Sequence, residues 1–161
     1  LSKESLQGLG LALGADVPVF VGGRAAWAEG VGERLMPMDF PERPFLVLDP
    51  GCHVSTKEVF CDPQLTRNSP PVTIPGFLSG GGSNDCEAVV RRSHPEVAKA
   101  LDWLAGFGEA RLTGTGGCMF LACNSAQEAS EICAKVPDPW TGIVARGMNR
   151  SPLVRQIEHP H

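Results

Sequence analysis

The chain has no run of lysine and arginine: 14 basic residues are spread along 161 positions and outnumbered by 18 Asp and Glu, a formal charge of −4. A line of DNA or RNA phosphates would find nothing continuous to meet, so nucleic acid is excluded as the expected partner. Cysteine pairs at C-x-x-C spacing are also missing. The six cysteines (Cys52, Cys61, Cys86, Cys118, Cys123 and Cys133) are too few and too scattered for a disulfide-built secreted module, and read as reduced, mostly buried thiols. Neither a membrane-length apolar run nor a signal-peptide pattern occurs, so a soluble, cytoplasmic protein is expected unless a removed leader directs it elsewhere. His53, His94, His159 and His161 are dispersed, and no metal site built from side chains alone is expected. What the chain does have is apolar substance, 42% of its residues. That suffices for the core of one domain, or of one domain plus a piece of another. Leu1-Ser2-Lys3-Glu4 opens without Met and runs at once into a helical pattern, which suggests a chain cut from something longer.

Leu6, Leu9 and Leu13 recur at helical spacing after Ser2, a plausible N-cap, and Gly14 stands where a helix stops. Val17–Val21 and Arg24–Glu29 flank Gly22-Gly23, a hairpin signal, with Pro18 demoting the first run to an edge strand or extended entry. Pro37, Pro41 and Pro44 then mark a boundary near Glu42. Beyond it, Phe45–Asp49 reads as a buried strand, Ser55–Phe60 as a short helix or turn, and Asp62–Gly82 as a Pro-, Ser- and Gly-rich connection. Asn84 can cap a helix with Glu87 at the capping-box position, and Pro95 restarts it, with Val97, Leu101 and Leu104 as its apolar stripe. Arg111–Thr113 and Cys118–Ala122 read as strands, Ser125 with Glu128 as a helix start, and Gly142–Arg146 as a last strand. Strand, helices, two strands, helix, strand is the order of an α+β, ferredoxin-like split βαβ sandwich.

Asp16 lies in an apolar stretch, which can raise its pKa and let it accept a proton from a substrate hydroxyl; on local sequence, a helix-terminal Asp accepting backbone N–H bonds is the better reading. Thr113-Gly114-Thr115-Gly116-Gly117 lets backbone approach a ligand and turn its amides to phosphate oxygens, and equally suits a plain glycine hairpin. Ser79–Asp85 has the look of a phosphate cradle but no Gly-Lys-Ser/Thr, so a connector ending in a helix cap is preferred. Thr56 can contact a hydroxyl or phosphate and Phe60 can stack on a base, against capping by Ser55 or Thr56 and core packing by Phe60.

Leu13–Phe20, Ala28-Glu29-Gly30-Val31-Gly32-Glu33, Ser83-Asn84-Asp85-Cys86-Glu87 and Leu112–Phe120, in this order and spacing, resemble the 4-diphosphocytidyl-2-C-methyl-D-erythritol kinases of the GHMP kinase superfamily. The likeness runs through Ala145–Leu153. It implies a two-domain kinase with its site between domains, using ATP and Mg²⁺ to phosphorylate the 2-hydroxyl of 4-diphosphocytidyl-2-C-methylerythritol on the non-mevalonate route to isoprenoids. Asp16 then matches the catalytic aspartate, Thr56 and Phe60 the substrate pocket with Phe60 stacking on cytosine, and Gly114, Thr115, Gly116 and Gly117 the glycine loop beside the nucleotide phosphates. Residues 1–42 would be a remnant of the first domain and 43–161 the ferredoxin-like second domain.

The family's assisting lysine and long phosphate loop lie upstream of the segment matching Asp16, and the chain contains neither. Gly80–Gly82 falls on the wrong side of Asp16 to replace that loop. The chain alone is therefore expected to be inactive, with apolar surface around Val17–Trp27 open to self-association. Two alternatives remain open: another GHMP small-molecule kinase, and a non-catalytic ferredoxin-like binding or regulatory module.

Overall fold

The computed structural model describes residues 1–158, except the side chains of Arg155, Ile157 and Glu158. His159 and His161, counted among the dispersed histidines, lie outside the described residues. Two compact units are present: Leu1–Glu42 together with the residues from Gly147 onward, and Arg43–Arg146. Among the described residues, no helix is long and apolar enough to cross a membrane.

In the first unit, α1 (Lys3–Leu13) starts at Ser2, whose side chain accepts from the Ser5 N–H at 3.2 Å. The next element departs from expectation. Val17–Val21 is no strand but the body of helix α2 (Val17–Gly22). Pro18 occupies its first turn, where a missing N–H costs nothing, and Gly23 (φ 62°) closes it, its N–H on the Val19 carbonyl at 2.9 Å. Packing reinforces the choice, since a Cβ on Gly10 of α1 would stand 2.8 Å from Val17 Cγ1. These local constraints outweigh the strand preference of three valines. The hairpin instead follows, joining β1 (Ala26–Glu29) and β2 (Arg34–Pro37) antiparallel, from Ala26 opposite Pro37 to Glu29 opposite Arg34. Its turn holds Gly30 and Gly32 at φ 71° and 110°. The Glu33 carboxyl is held below the usual range by its own backbone N–H, and then by the Val31 N–H that Glu33 Oε2 accepts at 2.7 Å. The stripe of α1 stays largely open, with Leu9 59% and Leu13 84% exposed, as does Phe20 of α2 at 78%.

The second unit runs β3 (Pro44–Asp49), α3 (Thr56–Cys61), α4 (Ile74–Leu78), α5 (Cys86–Ser93), α6 (Pro95–Ala105), β4 (Ala110–Leu112), β5 (Met119–Ala122), α7 (Ala126–Cys133) and β6 (Thr141–Arg146). Its antiparallel sheet has the order β4-β5-β3-β6. That is the ferredoxin-like α+β arrangement the sequence predicts. Leu46 and Leu48 of β3, opposite Leu121 and Met119, meet Val89 and Val90 of α5, Val97, Leu101 and Leu104 of α6, and Ala129 and Ile132 of α7 in one core. Ser55 accepts from the Glu58 N–H at 3.4 Å to start α3, and Ser125 from the Glu128 N–H at 3.0 Å to start α7. Glu128 returns the bond by accepting the Asn124 N–H at 2.7 Å. Helix α4 lies inside the stretch expected to be a plain connection, nucleated by Thr73 capping the Gly76 N–H at 3.2 Å and by Pro75 in the first turn.

After β6 the chain rejoins the first unit. Arg150 bridges Arg24, Asn149 exchanges two 2.8 Å bonds with the Phe40 backbone, and α8 (Pro152–Glu158) follows. The compact units thus part residues from Gly147 onward from the continuous 43–161 stretch of the sequence division.

Candidate active site

The turn Asp49-Pro50-Gly51 leads from β3 toward α3; Asp49 Oδ1 accepts the Gly51 N–H at 2.8 Å, with Gly51 at φ 71°. Thr56 opens α3, and its hydroxyl lies 2.9 Å from that of Thr115. Thr115 stands in the loop joining β4 to β5, where Gly114, Gly116 and Gly117 take φ of 48°, 103° and 91°, values that side-chain-bearing residues rarely adopt. The loop is a tight turn. The Gly116 N–H reaches the Thr113 carbonyl at 2.8 Å, and both the N–H and hydroxyl of Thr113 donate to the Cys118 carbonyl at 3.0 Å. Val90 and Leu112 back it, since a Cβ on Gly116 would stand 3.2 Å from Val90 Cγ1.

Two clefts open beside this loop. One, of about 530 Å³, is lined by Asp49, His53, Thr56, Thr115, Gly117 and Cys118. Burial pushes the Cys118 thiol up, with the Asp49 charge adding to it, so it stays protonated at neutral pH and is no nucleophile. The other, of about 660 Å³, is lined by Phe60, Arg67, Ser69, Asn84, Asp85 and Gly114. Phe60 is 54% exposed, so it does not serve the core, and its carbonyl accepts from Arg67 Nη2 at 2.6 Å. Thr56, Phe60 and the glycine loop are thereby gathered in one unit, with hydroxyls, backbone amides and an open aromatic face. Such neutral donors suit phosphate oxygens without the desolvation cost of a buried charge.

Asp16 belongs to the other unit. It occupies the N-cap position of α2 yet makes no capping bond, and its side chain is exposed rather than enclosed by Ala15 and Val17. The carboxylate is therefore not spent on the backbone. The turn between β1 and β2 packs directly against the residue before it: a Cβ on Gly32 would run into the Ala15 carbonyl oxygen, and Gly32 has a positive φ besides. Gly32→Ala should consequently displace the Ala15-Asp16 backbone and lower stability by roughly 1–3 kcal/mol. Chemical denaturation checks this, and an unchanged midpoint would show that the contact is not needed.

Gly80–Gly82 makes no cradle. The Gly80 N–H bonds the Phe77 carbonyl at 3.0 Å and the Gly81 N–H the Gly76 carbonyl at 2.9 Å, so these glycines fold back on α4 and stop it. Asn84 holds more than a cap. Its Oδ1 accepts the Cys86 N–H at 3.0 Å, while its Nδ2 donates to the carbonyls of Leu112 and Gly114 at 3.2 and 2.7 Å. Glu87 pairs with Arg91 at 3.8 Å. An Asn beside an Asp at a helix start signals a cap in sequence, and nothing local announces bonds 28 and 30 residues away.

Residues 75–142 match the family model described as GHMP kinases C terminal. Over 158 residues, 98% of its length, the chain is 53% identical to the 4-diphosphocytidyl-2-C-methyl-D-erythritol kinase of Nitrosococcus oceani. Over 156 residues, 95% of its length, it is 52% identical to that of Halorhodospira halophila. A crystal structure of 4-(cytidine 5'-diphospho)-2C-methyl-D-erythritol kinase aligns over 88% of the chain with a TM-score of 0.71 and 27% identity.

The chain is similar to the GHMP kinases.

It spans about half the length of the relatives it matches, 56% of the Nitrosococcus protein, 54% of the Halorhodospira protein and 56% of the crystallised chain. Within the GHMP kinases its likeness is to enzymes named for the cytidyl-diphosphate methylerythritol substrate, and it extends through both compact units. The loop of Gly114–Gly117, all of the β4–β5 hairpin and helices α5 to α7 fall inside the matched C-terminal region. Asp16, Thr56 and Phe60 lie upstream of it, within the stretch shared with the relatives.

Proposed function

We propose that these residues form part of a cytoplasmic, ATP-dependent kinase that phosphorylates the 2-hydroxyl of 4-diphosphocytidyl-2-C-methyl-D-erythritol in non-mevalonate isoprenoid biosynthesis. The observation that carries this reading is 53% identity, along 98% of the chain, to a relative of that name. The geometry of the second unit supports it. Phe60 offers a solvent-facing ring at the edge of a cleft of nucleoside size, suited to stack on cytosine. Thr56 places a hydroxyl against the glycine loop, where it can meet a substrate oxygen. Gly114 has nothing within 4 Å of where a Cβ would be, so a phosphate can come close to the backbone there.

In this reading Asp16 orients the substrate hydroxyl and takes its proton as the oxygen attacks the γ-phosphorus; the bond to the bridging oxygen breaks and ADP leaves. The amides of Gly114–Gly117 hold the charge that builds on the phosphate oxygens. Bound with the nucleotide, Mg²⁺ supplies further neutralisation of that charge.

The discriminating experiment is competition in a protein of the relatives' full length carrying these residues. CMP should compete with the alcohol substrate, because the cytosine stacks on Phe60, and Phe60→Ala should weaken CMP about tenfold. Absence of competition by CMP would move the reading to a GHMP kinase for another alcohol.

A further inference from the structure

Ser83-Asn84-Asp85 is part of the sequence that resembles the kinases yet supplies no reacting group in the scheme above. Asn84 precedes α5, and its amide is engaged on both sides: Oδ1 accepts from Cys86 N, and Nδ2 donates to Gly114 O at 2.7 Å and Leu112 O at 3.2 Å. The two acceptors belong to the residues that enter the glycine loop. In a trans peptide the C=O and the following N–H point in opposite directions. Pinning the Leu112 carbonyl therefore aims the Thr113 N–H away from Asn84, toward the Cys118 carbonyl it bonds at 3.0 Å. Pinning the Gly114 carbonyl in the same way fixes the direction of the Thr115 N–H. Gly114 sits at φ 48° with open space around it, and so has no side chain of its own to resist rotation of that peptide.

We propose that Asn84 is the positioning residue of the glycine loop: it locks the Gly114–Thr115 peptide in the orientation that presents the Thr115 amide to nucleotide phosphate. The second half of this statement rests on the kinase reading of the loop. Asn84→Asp separates the two functions of the side chain. The aspartate keeps an acceptor for the Cys86 N–H, so the start of α5 survives, but it sets carboxylate oxygens against two carbonyls where a donor stood. Asn84→Ala removes both functions and serves as the second variant.

Amide hydrogen exchange on this chain reads the lock directly. In Asn84→Asp, the bonded loop amides of Thr113 and Gly116 should exchange about tenfold faster than in the parent, while those of α5 and α6 keep their rates and report an intact fold. Unchanged exchange in the loop would overturn the proposal, as would equal loss of protection in the loop and in α5. In a protein of the relatives' full length, the same variant should raise the KM for ATP about tenfold and lower kcat as well, because the loop amides also hold the charge that builds during transfer. A plain loss of folded protein would lower the active fraction and leave the KM for ATP alone. A loosened loop with unchanged KM for ATP supports the lock but removes the phosphates from the loop, which separates failure of the kinase reading from failure of the inference.

Discussion

Asp16→Asn, in a protein of the relatives' full length, should lower kcat by about two to four orders of magnitude and leave the substrate KM within about threefold. The substitution is structurally quiet for reasons visible in the fold. Asp16 makes no side-chain bond at the N-cap position of α2, and Asn serves that position as well as Asp. What changes is chemical: an amide cannot take the proton of the attacking hydroxyl, while it still fills the same space. Binding energy is conserved and transition-state stabilisation lost, which is why the effect belongs in kcat. Circular dichroism should be unchanged. Turnover equal to that of the parent would remove Asp16 from the catalytic role.

A polypeptide of these 161 residues alone should show no ATP-dependent phosphorylation of the cytidyl substrate above background. Phosphoryl transfer depends on positioning and charge neutralisation more than on any single base. The resemblance puts the assisting lysine and the long phosphate loop upstream of the Asp16 segment, outside these residues. The glycines at 80–82 do not substitute, since their backbone bonds are spent on stopping α4. The same polypeptide should associate with itself. Leu9, Leu13 and Phe20 expose 59%, 84% and 78% of their surface on α1 and α2, and large open apolar groups favour self-contact. Light scattering should give a mass above 17.1 kDa that falls on dilution and falls further in Leu9→Lys, Leu13→Lys. Measurable turnover would refute the first expectation, and a monomer at every concentration the second.

Elements whose start and period are written in neighbouring residues were legible before the structure. Ser125 and Glu128 cap α7 as their spacing predicts, Phe45–Asp49 is a buried strand, and Val97, Leu101 and Leu104 face the core. The ferredoxin-like class followed from the succession of elements, and the sheet has the order β4-β5-β3-β6. Errors fell where one signal had two meanings. Pro18 marks an edge strand or a helix's first turn, and Gly23 a hairpin or a left-handed helix stop; the packing of Val17 on Gly10, not visible locally, decided for a helix. Thr73 before Ile74-Pro75 did carry the start of α4, hidden in a stretch rich in turn residues. For the site, residue types suggested Thr56, Phe60 and the glycine loop, but not that Thr56 touches Thr115 across 59 positions or that Asn84 reaches the loop. Contacts of that range depend on how β4, β5 and α5 come together, which no local pattern encodes.

The most direct measurement supplies a protein of the relatives' full length carrying these residues with ATP labelled on the γ-phosphate and 4-diphosphocytidyl-2-C-methyl-D-erythritol. Mass spectrometry and phosphorus NMR then locate the label. The expected result is one phosphoryl group per product molecule on the 2-hydroxyl, with ADP formed in equal amount. Label on another hydroxyl, or transfer to a sugar, homoserine or mevalonate in preference to the cytidyl substrate, would contradict it.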